Sequence, residues 1–371
     1  MKKAVIAILL SFCFLTFAGC SRSGAVEAKG TVTRDTKYNA AEISLTPDEF
    51  KNAGFDLGDS CDILFGNGYS IPDVPYFNGY YVKNGEPVIV AYPGFSYIRV
   101  TYNNSGIWDT AGLKDNEPVT IRLREKSKYS AVQEVLGQVY SFEYSDYDST
   151  EEFCNFRELS GGKIKKGLLF RGASPVDNSR GRAAYTDRLI SENGIVFVID
   201  LADSEENMKE YMSDKSFDSA YAADLYKNGQ TLLLDMSSSY QSEEYCQKVA
   251  AGLKAMLDSD GPVYIHCMEG KDRTGFVCML LEALAGASYE EMCCDYMKTY
   301  ENYFSVSPED TPEKYDAVVE LYFDSFVSYL HKTEDLNELK NADYVQDAVD
   351  YLIAGGMTEE DTILLRQFIS E

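Results

Sequence analysis

The sequence predicts an α/β protein: a domain with a mostly parallel central sheet flanked by helices, preceded by a small all-β domain. Three observations carry this. In the second half, strand-length apolar runs alternate with helical ones; in the first, short apolar runs are separated by asparagine–glycine turns; the pattern changes near residue 149. Strand–helix alternation implies parallel strands covered on both faces, and closely spaced turns imply antiparallel pairing. A chain of 371 residues suffices for two such cores.

Residues 1–20, "MKKAVIAILLSFCFLTFAGC", begin with Lys2 and Lys3, continue with an apolar run too short for a comfortable membrane span, and end in small residues before Cys20. This reads as an export signal, and "FAGC" resembles a bacterial lipoprotein signal, in which the cysteine becomes the lipidated first residue. The resemblance implies a protein held by a lipid anchor at Cys20 on the outer side of a bacterial membrane, with secretion as the alternative. Residues 21–45 are polar and aperiodic, and predict a flexible tether.

Residues 46–148 are rich in tyrosine and β-branched side chains. Turn dipeptides (Asn67-Gly68, Asn78-Gly79, Asn84-Gly85) and "NNSG" separate the segments "CDILF", "PVIVAY", "SYIRVTY" and "PVTIRL". That spacing predicts a small antiparallel sheet or barrel with Trp108 in its core. The stretch from Gly85 to Ile121 is faintly similar to the accessory β-barrel of adenosyl-hydroxide transferases. With no acid pair, histidine cluster or phosphate loop, the domain reads as a spacer or surface-binding module.

Residues 149–371 carry the strand-like runs "GLLFRGAS", "IVFVIDLAD", "TLLLDMS" and "PVYIHC", with helices predicted over 180–192, 242–257, 274–284, 288–300, 342–354 and 358–368. Ser288 with Glu291 forms a capping-box pattern. His331 reads as a helix-end residue. A net charge of −26 argues against nucleic acid as a partner, since binding its backbone needs lysine and arginine.

The chemistry concentrates in "PVYIHCMEGKDRTGFV", residues 262–277. A buried strand ends at Cys267, a loop of Met268, Glu269, Gly270 and Lys271 follows, and a helix begins near Arg273. Backbone N–H groups of such a loop, with the positive end of the helix dipole, form a nest for a phosphate. The same field favours a thiolate at Cys267. Arg273 can grip two phosphoryl oxygens with its planar fork, and Thr274 can donate its hydroxyl hydrogen to the sulfur. Beyond Cys13 and Cys20, the cysteines at 61, 154, 246, 267, 278, 293 and 294 are odd in number and scattered, without zinc-knuckle spacing, so at least one thiol is free. Cys293 and Cys294 read as packing residues, with a resolving thiol as the alternative. A nucleotide-binding loop is excluded because no Ser or Thr follows Lys271. Sulfur-transferase loops of the rhodanese type lack the GKDRTG ending.

Cysteine, five residues, then arginine, preceded by histidine and followed by threonine and glycine, resembles the signature of the protein tyrosine phosphatase superfamily. The HCxxGKDRTG form resembles its bacterial branch of tyrosine and lipid phosphatases, as do "NFRELSGGKIKKGLLFRGASP" and "FVIDLADSEE". The resemblance implies that Cys267 is the nucleophile of a cysteinyl-phosphate intermediate, Arg273 the phosphate ligand and His266 the neighbour that assists the thiolate. It implies Asp272 as general acid, with Asp235 the alternative, and Asp200 as an ion-pair partner orienting Arg273 or the loop. No metal or cofactor is implied. Glu269 opposes a highly charged substrate unless it points to solvent, while Lys271 adds positive charge at the rim. Arg157, Arg171, Lys163, Lys165 and Lys166 either line the approach or are solvated surface charges. The substrates expected are phosphotyrosine protein or phosphoinositide, with inositol polyphosphate as an alternative and a non-catalytic phospho-ligand module as the rival class.

Overall fold

The computed structural model describes residues 26–137 and 141–370. The expected signal and its Cys20 lie outside the described residues.

The first domain is a closed seven-stranded barrel. Its strands are β1 (Glu27–Asp35), β2 (Ala40–Ile43), β3 (Ser60–Phe65), β4 (Ser70–Phe77), β5 (Pro87–Val90), β6 (Ile98–Tyr102) and β7 (Pro118–Glu125), in the spatial order β1-β2-β6-β5-β4-β3-β7. All neighbours are antiparallel except β4 and β5, which run parallel. Short helices α1 (Pro47–Asn52), α2 (Trp108–Ala111) and α3 (Ser130–Leu136) decorate it. Alternate side chains turn inward, including Ile63, Ile98, Val100 and Ile121, and Phe50 stacks on Phe55 at 4.0 Å within the same core. Trp108 belongs to this core, as expected.

One feature corrects the sequence reading. Residues 27–43 are not a tether: β1 closes the barrel between β7 and β2, from Asp35 down to Glu27. The segment reads as polar because, of β1, only Ala28 and Val32 are buried. The barrel, expected as a spacer or surface-binding module, also packs directly on the second domain. Ile89 of β5 faces the barrel core, while Val88 and Val90 belong to the apolar cluster of the second domain. "PVIV" is thus a continuous apolar run for the usual reason, burial of the strand on both faces.

The second domain has a five-stranded sheet in the order β11-β10-β12-β9-β8, from β8 (Arg157–Glu158), β9 (Leu169–Gly172), β10 (Phe197–Asp200), β11 (Thr231–Leu233) and β12 (Val263–His266). β8 alone is antiparallel. Around it lie α4 (Thr150–Phe153), α5 (Ala183–Glu192), α6 (Glu205–Ser213), α7 (Ala220–Lys227), α8 (Glu243–Ala255), α9 (Asp272–Leu284), α10 (Tyr289–Phe304), α11 (Pro312–Val318), α12 (Asp324–His331), α13 (Leu336–Asn341), α14 (Val345–Ala354) and α15 (Glu359–Ile369). The Ser288–Glu291 capping box opens α10. α9 is buried on every side after Asp272, which marks it as the central helix. Among the described residues no helix is long and apolar enough to cross a membrane.

Candidate active site

β12 delivers His266 and Cys267 to the top of the sheet, and residues 268–271 link them to α9. The loop's carbonyls are held from behind. Met268 O accepts from Ser174 N (3.1 Å), Glu269 O from Tyr303 Oη (2.9 Å), and Gly270 O from Asn155 Nδ2 (3.1 Å) and Arg171 Nη2 (2.9 Å). With the carbonyls engaged on one side, the N–H groups of residues 268–271 donate to no group of the described protein. α9 has no side-chain cap at its N-terminus. Unused N–H groups at an uncapped helix start are the ordinary makings of an anion site, and they adjoin Cys267, which is 4% exposed. Gly270 makes the loop possible: its φ is +66°, and a Cβ there would lie 2.2 Å from Gly172 O.

Arg273 is buried, and its Nη1 donates to Met236 O at 2.8 Å. Burial works against its charge, but nearby Tyr38 and Cys267 outweigh this and raise its pKa. Thr274 Oγ1 is buried without a hydrogen-bond partner, leaving its hydrogen available.

Asp200 does not pair with Arg273. The β10–β12 register sets it opposite His266, with Oδ2 3.8 Å from Nε2, and the turn after β10 wraps the N–H groups of Ala202 (2.8 Å) and Asp203 (3.1 Å) onto Oδ1. Burial, the largest influence, lowers the pKa of His266 to about 4. The imidazole is therefore neutral at pH 7 and adds no positive charge beside the sulfur; its Nδ1 lies 3.3 Å from Cys267 O. Next to Asp200, burial and the Asp200 charge raise Asp203 to about 8.

The two candidate acids part company. Asp272 is half-exposed on the cleft wall, 2.7 Å from Lys271 Nζ. Asp235 is outside the cleft lining, held by Lys37 Nζ at 3.2 Å. Lys271 itself is buried, its Nζ 5.4 Å from the centroid of Tyr300 and 5.8 Å from that of Tyr322. Glu269 does not point out into solvent: it is largely buried at the cleft lining, with Arg180 Nε 3.4 Å and Tyr92 Oη 3.3 Å away, so its charge is matched within the protein.

Arg157 and Arg171 neither line the approach nor sit on the surface. Both pair with Asp295 of α10 behind the loop, which is how Arg171 reaches Gly270 O. Lys165 Nζ ties to the carbonyls of Gln367 and Phe368. His331 pairs with Asp347 at 2.7 Å, at the end of α12. Cys293 is buried and Cys294 exposed. Among the described residues no group of three or more His, Cys, Asp or Glu side chains is placed to hold a metal ion.

The cleft above Cys267 has a volume of about 360 Å³, and its opposite wall is the barrel. The two domains are tied at its edge by Asn84 Nδ2 to Tyr240 Oη (2.6 Å) and Ser239 Oγ to Asn104 O (2.7 Å). Sequence reasoning missed Asn155, Arg180 and this whole wall. Asn155 stands at the head of a stretch whose resemblance was noted, whereas nothing local marks Arg180, and the tyrosine richness of residues 46–148 was the only sign of the wall.

Residues 149–369 match a family model described as "Tyrosine phosphatase family". No curated protein matches the chain. Among solved structures, an uncharacterized conserved protein from Thermotoga maritima is similar at 15% identity, over 26% of this chain and 36% of that protein, with a TM-score of 0.23. A likeness so slight bears on neither fold nor function.

Proposed function

Because the chain belongs to the tyrosine phosphatase family, we propose that it hydrolyses phosphate monoesters through a cysteinyl-phosphate intermediate at Cys267, with phosphotyrosine on protein as its substrate. The observation that carries this reading is the loop itself: among the described residues the N–H groups of residues 268–271 have no acceptor, the helix start they lead into is uncapped, and the buried Cys267 lies near enough to Arg273 for their charges to interact.

In the proposed reaction the N–H groups and the Arg273 guanidinium hold the three non-bridging oxygens, stabilising charge that spreads in the transition state. The Cys267 thiolate attacks phosphorus, the bond to the ester oxygen breaks, and that oxygen takes a proton from Asp272. Asp272, now a carboxylate, removes a proton from water as the water attacks phosphorus. The P–S bond breaks, inorganic phosphate leaves, and Thr274 Oγ1 donates to the departing sulfur.

The charges favour one phosphate over many. Of the cations lining the cleft, Arg99 faces Asp35 at 2.5 Å, Arg180 faces Glu269 and Lys271 faces Asp272. Among the described residues, Arg273 is the one cleft cation without a carboxylate in ion-pair range, and Lys271 joins it while Asp272 holds the proton it gives to the leaving group. An inositol polyphosphate needs several unmatched cations, and a monophosphate needs one.

The test is phosphate release, with EDTA present, from a phosphotyrosine peptide, a phosphoserine peptide, a phosphoinositide and inositol hexakisphosphate. Wild-type protein releases phosphate best from the phosphotyrosine peptide, Cys267→Ser releases none, and Arg273→Ala loses about 10³-fold or more in kcat/KM. Turnover by Cys267→Ser, or loss of wild-type turnover in EDTA, overturns the mechanism.

A further inference from the structure

The wall facing Cys267 is built of aromatic rings. Tyr38 sits in the β1–β2 turn, Tyr80 follows β4, and Tyr92, Phe95 and Tyr97 occupy the β5–β6 connection. Tyr92 and Phe95 have ring centroids 5.5 Å apart, and Phe95 stacks on Tyr97 at 5.2 Å. Arg99 of β6 fixes the array from behind. Its guanidinium carbon lies 4.8 Å from the Phe95 centroid and 5.4 Å from that of Tyr38, its Nη1 donates to Tyr80 Oη at 3.0 Å, and Asp35 balances its charge.

Rings that only filled a core would be covered. Tyr38, Phe95 and Tyr97 are instead partly exposed and line the cleft. Apolar faces held rigid around an open pocket lose hydrophobic free energy until something covers them, which is the usual character of a ligand site. Tyr38 is near enough to the loop for the charges of Arg273 and Cys267 to act on its phenol. A group esterified to a phosphate in the nest has this wall as its neighbour.

We infer that the barrel supplies the specificity subsite of the phosphatase: Tyr38, Phe95 and Tyr97, held by Arg99, receive the aromatic ring that carries the phosphate. This rests on the monoester reading above and assigns the recognition of the ring to the barrel. The catalytic unit then includes both domains, and the first domain is neither spacer nor surface module. Arg99 acts through the rings and is a positioning residue.

The experiment measures binding rather than turnover, so that the subsite and the phosphatase reading fail separately. In the full chain carrying Cys267→Ser, affinities are measured for a phosphotyrosine peptide and for inorganic phosphate, with and without Tyr38→Ala plus Phe95→Ala. Loss of two ring contacts weakens the peptide by about tenfold or more. Inorganic phosphate reports on the loop alone, and its affinity stays within about twofold. Unchanged peptide affinity overturns the subsite. A parallel loss for both ligands also overturns it, because the substitutions then act by disturbing the loop. Absence of phosphate release by wild-type protein would refute the phosphatase reading and leave the binding comparison standing.

Discussion

Replacing Gly270 with alanine puts the loop geometry under direct stress. The added Cβ would lie 2.2 Å from Gly172 O, 2.3 Å from its carbonyl carbon and 2.9 Å from its Cα. These are backbone atoms of β9, a strand paired on both sides, so they cannot swing away as a side chain would. To restore ordinary contact the loop must lift by about 1 Å, and a displacement of that size costs on the order of 100-fold in turnover. The φ of +66° adds about 1–2 kcal/mol for any residue with a Cβ. Gly68→Ala separates the two effects: it has a φ of +91° with nothing within 4 Å of the added atom. Gly270→Ala is expected to lower kcat/KM for a phosphotyrosine peptide by about 100-fold and to melt lower by roughly 2–8 °C. Gly68→Ala shares the lower melting temperature and keeps full activity. Wild-type kinetics in Gly270→Ala would refute the argument that this loop conformation is the catalytic one.

Two further outcomes follow from the charges. Asp272→Asn should lower kcat by about 100-fold for a phosphotyrosine peptide and much less for p-nitrophenyl phosphate, whose leaving group needs little protonation, while Asp235→Asn leaves both near wild type. The reverse pattern in steady-state assays would return the acid role to Asp235. At Asp203, burial and the Asp200 charge keep the carboxyl protonated in the folded protein up to about pH 8, whereas in the unfolded chain it ionises near its ordinary value. Its stabilising contribution is therefore present at low pH and lost as pH rises through that window. Asp203→Asn, which keeps an acceptor for Tyr211 Oη (3.1 Å in the native pair), should gain melting temperature relative to wild type between pH 6 and pH 9. A difference that does not change with pH would count against the buried carboxyl.

What the sequence alone determined is what short segments encode. The strands of the second domain read clearly because β9, β10 and β12 are short apolar runs bounded by breakers, and the start of α9 follows from a glycine loop running into an apolar helix. Cys267, Arg273 and Thr274 stand out in the sequence because their spacing fits the proposed chemistry, in which one loop would present nucleophile, nest and clamp together. Strands β1 and β4 were not, since β1 buries little and Pro72 and Pro75 interrupt β4, so neither shows the expected alternation.

Tertiary structure alone decided which charges meet. Glu269 was expected either to oppose a highly charged substrate or to point to solvent, yet Arg180, far along the chain, pairs with it. Asp200 was expected to orient Arg273 or the loop by an ion pair, and strand register set it opposite His266. The barrel, silent in its own motifs, became a wall of the cleft because β5 buries both faces and draws the aromatic β5–β6 connection against the loop. Local sequence specifies the proposed phosphate nest, since all its parts lie within a few residues. What surrounds the nest depends on contacts between distant segments, and no local pattern encodes them.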